Sequence, residues 1–231
     1  MELPALLLGA AAGVLLLGKR AAASSGGVAP SAVVRASRNV IADKADLVLR
    51  AAEEEFYRDV REPPAGNGAR IDDYIRGPQG LGWDTAQASP WVSGVRYTQN
   101  GQFFWCGAFA AFCYGAAGLR ADIRKQHFAS TNRLLSWSSG TSRYIEPGAL
   151  QPGDVVVMSD ASTPSGKHIG ICTTVFGTTI NTIEGNANGT GPSGQRIEGV
   201  VRASRPLPMA ATTARQYRII FGVRPLLEDY V

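Results

Sequence analysis

A chain of 231 residues, 45% hydrophobic and 18% charged, is long enough to bury a sizeable core without disulfide staples and fits one domain with an N-terminal extension. Its 23 basic and 19 acidic residues leave a net charge of +4 with no basic run interleaved with aromatics, which argues against a nucleic-acid groove and for an anionic surface such as a cell wall or lipid headgroups. Three cysteines and two histidines, with no C-x-x-C pair, argue against a disulfide ladder, a metal site or a bound cofactor, although two of the thiols could still pair.

The chain begins with an apolar, uncharged stretch from Leu3 to Leu17, followed by Gly18, Lys19 and Arg20. As a helix it falls short of the ~20 residues that span a bilayer, and snorkelling by Lys19 and Arg20 would extend it into a marginal membrane helix. Glu2 at the start and the basic pair at the end fit a cleaved secretory signal less well. Residues 21–38 are rich in Ala, Ser and Gly, with Pro30, and read as a flexible linker. The expected organisation is therefore a hydrophobic segment over 1–20, a linker over 21–38 and one domain over 39–231.

A helix is expected from Ser37 or Asn39 to Val60, where Val40, Ile41, Ala45, Val48, Ala52 and Phe56 recur at helical spacing. Pro63, Pro64 and the Gly66-Asn67-Gly68 turn stop it, and Ile71, Tyr74 and Ile75 predict a short second helix over 70–76. From Gly77 to Asn100 the composition is that of a structured loop, whose Trp83 and Trp91 could wall a cleft or pack in the core. Ser130 to Trp137 predicts one more helix or a loop.

Beyond Pro147 the pattern changes to short β-branched runs bounded by Gly or Pro: 154–158, 168–175, 178–184, 200–203 and 217–223. These predict an antiparallel sheet. Helices first and strands afterwards give an α+β class, with helices packed on the sheet.

The most informative stretch runs from Gln102 to Gly115. Cys106 follows Phe103, Phe104 and Trp105 and opens a run of small and apolar residues that reads as a buried helix. The unpaired amides and dipole of a helix N-terminus stabilise a thiolate, so Cys106 is the candidate nucleophile. His168 opens a predicted strand, where alternation puts it on one face with Gly170, a sign of close approach by another group. His168 is thus the candidate general base, and His127, in a polar stretch, is assigned to the surface. Glu184 ends the next predicted strand and Asn186 stands two residues beyond it, where alternation would put both on one face and either can orient the imidazole. The backbone N–H of Cys106 and the side chain of Gln102 or Asn100 are the candidate oxyanion donors. Trp105, Trp83 and Trp91 are the candidate cleft residues.

Four ordered blocks, Trp105 to Phe109, Leu150 to Val156, His168 to Ile171 and Ile183 to Asn186, with a closing Phe221 to Pro225, resemble the CHAP domain (cysteine, histidine-dependent amidohydrolase/peptidase), a papain-like group common in phage lysins. The resemblance covers residues 45–226. It implies a papain-like fold, with Cys106 as nucleophile, His168 as base and Glu184 and Asn186 as the polar partners that orient it. It also implies hydrolysis of an amide bond in bacterial peptidoglycan, in the stem peptide or cross-bridge or at the N-acetylmuramoyl-L-alanine link.

The apolar start and the lack of an evident wall-binding module separate this chain from many free lysins. The basic flank of residues 3–17 would keep the catalytic part cytoplasmic in a cell membrane, which conflicts with wall chemistry. Packaging in a virion, with residues 3–17 against tail proteins or lipid, removes the conflict. The expectation is a tail-associated, wall-penetrating hydrolase. The alternatives are a structural virion or membrane protein whose hydrolase-like domain is a plug or assembly part, and a membrane-anchored wall-remodelling enzyme.

Overall fold

The computed structural model describes residues 32–61, 69–83, 105–159, 168–207 and 218–231. The apolar segment 3–17 lies outside the described residues, and among those described no helix is long and apolar enough to cross a membrane. The architecture is α+β: helices come first in the chain and pack on a six-stranded antiparallel sheet.

Helix α1 spans Ala32–Tyr57 and buries Val48, Ala51, Ala52 and Phe56. It begins within the stretch expected as a linker. Alanine, which helped that stretch read as a spacer, is also the strongest helix former, and only Gly and Pro break a helix. Helix α2, Ala69–Arg76, buries Ile71, Tyr74 and Ile75 on one face. Helix α3, Cys106–Ala116, is buried over nearly its whole length. A helix apolar on all sides must be enclosed, and α1, α2 and the sheet enclose it. A short helical turn at Ala121–Ile123 runs into a π-helical turn, Arg124–Phe128, and α4 follows at Thr131–Ser138.

The strands are β1 (Tyr144–Ile145), β2 (Val155–Ser159), β3 (His168–Phe176), β4 (Thr179–Thr190), β5 (Arg196–Pro206) and β6 (Arg218–Val223), in the order β1-β6-β2-β3-β4-β5. Every residue of β2 is buried, as befits a central strand covered on both faces. Alternation splits the sheet. Val155, Val157, Ile169, Ile171, Ile183 and Val223 join the helices in the main core, whereas Val156, Met158, Cys172, Ile180 and Ile219 form a second cluster on the other face.

Two strands exceed their predicted lengths. The polar, glycine-rich 185–191 lies beyond the predicted run 178–184, yet most of it continues β4 against β5 through a register shift between Glu184 and Ala187. A bulge absorbs residues that regular pairing would reject.

Candidate active site

The site forms where the start of α3 meets the first residue of β3. Cys106 is α3's first residue and 6% exposed, and His168, 5% exposed, opens β3. Their side chains lie close enough to act on one another, the imidazole lowering the pKa of the thiol and the thiol raising that of the imidazole. Nε2 of His168 lies 3.0 Å from Oε2 of Glu184, which is fully buried in β4. A carboxylate only accepts, so Nε2 carries the proton and Nδ1 is the nitrogen left for the thiol.

Burial opposes ionisation of Cys106, but the hydrogen bond and charge of His168, with backbone N–H groups of Ile169 and Gly107, outweigh it and hold the thiol below its ordinary pKa. For His168, burial favours the neutral ring, yet bonds to Cys106 and Glu184 raise its pKa well above the ordinary imidazole value. Burial likewise opposes the charge of Glu184, but His168 and Arg205 hold its carboxyl far below the usual range. Together the shifts favour a thiolate–imidazolium pair backed by a carboxylate.

The bulge divides Glu184 from Asn186. Strict alternation would have put both on one face, but Asn186 has φ +56° inside the register shift. Its Oδ1 therefore accepts the backbone N–H of Trp105 at 3.0 Å. Helix α3 has no side-chain cap of its own, and Asn186 takes up an N-terminal amide from across the sheet. The imidazole partner is Glu184, and Asn186 ties the nucleophile helix to the strand that carries it.

Two glycines are needed for this approach. A Cβ on Gly170 would sit 2.9 Å from Cγ of Glu184, and one on Gly185 would sit 2.6 Å from Cβ of Phe109 and 2.7 Å from Cζ3 of Trp105. The close approach predicted at Gly170 thus comes from the glutamate.

Of the candidate cleft residues, Trp105 and Trp83 are buried in the core, 0% and 3% exposed, which for Trp83 is the second of the two readings its loop allows. Trp105 packs with Tyr74 at 5.8 Å between ring centroids, because a bulky aromatic before a buried helix is carried inward with it. His127 is half-buried and stacked on Trp137, with centroids 5.1 Å apart, not the surface residue its polar neighbours imply. Asn100, Gln102 and Trp91 lie outside the described residues.

Two contacts were not predicted. Thr182 donates its hydroxyl to Oε1 of Glu184 at 2.5 Å. Arg205 on β5 donates from Nε to Oε1 at 2.9 Å and from Nη2 to Oε2 at 2.5 Å. Thr182 carries the alternation signal, two residues before Glu184 on the same strand. Arg205 has no local signal, since only the β4–β5 pairing brings it near. Among the described residues no group of His, Cys, Asp and Glu is arranged to hold a metal.

The arrangement can deliver a nucleophilic sulfur and return a proton to a leaving group, the requirements of acyl transfer. No family model, curated protein or solved structure matches the chain.

Proposed function

We propose that the chain is a papain-like cysteine amidase or peptidase of the CHAP type that cleaves an amide bond in peptidoglycan. The observation that carries the reading is the Cys106–His168–Glu184 relay, with its thiol on the first turn of a buried helix.

The chemistry follows from these positions. The Cys106 thiolate attacks the amide carbon, and the N–H of Cys106, in a first turn without intrahelical acceptors, is placed to stabilise the oxyanion. The His168 imidazolium then protonates the leaving amine as the C–N bond breaks, leaving an acyl thioester on Cys106. Neutral His168 next draws a proton from water, hydroxide attacks the thioester, and the thiolate leaves with the imidazole protonated again. Glu184 holds Nε2–H throughout and stabilises the charged ring.

Peptidoglycan is proposed as substrate from the resemblance of the sequence blocks, and the apolar start at residues 3–17 supports carriage in a virion tail for local wall penetration. Purified wall incubated with the protein should release fragments whose new amine and carboxyl ends, read by mass spectrometry, identify the bond. Release by Cys106→Ala equal to wild type would defeat the covalent mechanism.

A further inference from the structure

We propose that Arg205 is a positioning residue of this site: by gripping both carboxylate oxygens of Glu184 from the neighbouring strand, it fixes the carboxylate on Nε2 of His168 and so holds the other ring nitrogen on Cys106. The inference rests on the reading of Cys106 and His168 as nucleophile and base.

Glu184 is fully buried, so water does not replace a lost donor. Its two oxygens accept four bonds: Oε1 from Thr182 and Nε of Arg205, Oε2 from His168 and Nη2 of Arg205. That fills the capacity of a carboxylate, about four lone-pair sites. Arg205 supplies two of the four, and only its rigid fork defines the plane of the carboxylate. The Thr182 hydroxyl cannot do so, because it makes one contact there and also faces the carbonyl of Ala203 at 3.3 Å.

Register explains how a residue on β5 arrives. Arg205 pairs with Ile180, Ala203 with Thr182 and Val201 with Glu184. These residues share a face by alternation, so the guanidinium reaches the glutamate across a small alanine.

The charges also alternate along the line from Cys106 through His168 and Glu184 to Arg205. The charged groups that face Glu184 are His168 from β3 and Arg205 from β5, and those that face His168 are Cys106 from α3 and Glu184. With the site in its thiolate–imidazolium form the four sum to zero. Without Arg205 a buried negative charge is left over, the arrangement that low-dielectric surroundings tolerate least.

The test measures alkylation of Cys106 by iodoacetamide across pH, in the full chain, mapped by mass spectrometry. Arg205→Met is expected to move the acid limb of the profile upward by about one unit and so to slow alkylation on that limb by about tenfold. Arg205→Lys, which keeps the charge but not the fork, should fall between. In a Glu184→Gln background, adding Arg205→Met should change nothing further, since Arg205 acts through the glutamate. This double variant carries no uncompensated carboxylate, so with Arg205→Lys it keeps the test decisive if Arg205→Met does not fold. A wild-type profile for folded Arg205→Met or Arg205→Lys overturns the proposal, as does a full additional loss in the Glu184→Gln background. A wild-type Cys106 that reacts no faster than Cys113, or is indifferent to His168→Ala, overturns the underlying nucleophile reading as well.

Discussion

Cys106 and Cys113 stand on the same helix, and each is set near a buried glutamate. Cys106 faces His168 and, behind it, Glu184; Cys113, fully buried, feels Glu55, which is 2% exposed. The glutamates are held alike: Glu184 by the Arg205 fork and the Thr182 hydroxyl, Glu55 by the Arg70 fork and the Tyr74 hydroxyl at 2.7 Å. The difference lies in what stands between carboxylate and sulfur. With an imidazole between them, the negative charge is converted into a cation beside the thiol, and Cys106 ionises more readily. With none, burial and then the Glu55 charge itself push the Cys113 thiol well up. One polar device thus lowers the pKa of the sulfur at the start of the helix and raises that of the one within it, where the Glu55 cluster serves to lock α1 and α2 together.

The sharpest way to break this comparison is to remove each sulfur in turn. Cys106→Ala should lower wall hydrolysis by about 10³-fold or more, whereas Cys113→Ala should leave the rate per folded molecule unchanged and cost stability, as read by thermal melting. The next contrast exchanges the carboxylates. Glu184→Gln should lower kcat/KM by about 10²-fold through a misheld imidazole. Glu55→Gln should instead destabilise the fold by about 3–5 kcal/mol, the usual cost of breaking a buried pair, with the pH profile of the remaining activity unmoved.

A third prediction concerns pH. The active form needs an ionised Cys106 and a protonated His168. Activity should therefore rise as pH climbs through the lowered thiol pKa and fall as it passes the raised imidazole pKa, giving a bell with a broad plateau around neutrality. A narrow optimum, or a rise that follows an ordinary thiol, contradicts the pairing. The smallest effect is expected at Asn186. Asn186→Ala removes the acceptor of the Trp105 N–H and should cost about 1 kcal/mol, the size of a lost cap, with a modest loss of rate.

The sequence carries Cys106 and His168 because each starts its own element, and periodicity marks where a helix or a strand begins. It carries Glu184 for the same reason of alternation. It does not carry the division between Glu184 and Asn186, which depends on a bulge past the end of the predicted strand, nor Arg205, which arrives through pairing between strands β4 and β5. The α+β order follows from the change of period near Pro147, whereas the extra length of β4 and β5 hides in polar, glycine-rich stretches whose strand character comes from their partners. Trp83 and Trp105 show the converse, since from sequence alone an aromatic reads as a cleft wall or as core.

The central claim, that one sulfur is set apart by its imidazole, is tested most directly by counting the thiols that react. Brief iodoacetamide treatment of the folded protein at about pH 6, well below the ordinary thiol pKa of about 8.5, should modify Cys106 alone, leave Cys113 and Cys172 intact, and lose that selectivity in His168→Ala. Equal labelling of all three, or a Cys106 that stays unmodified until the protein unfolds, would contradict the account.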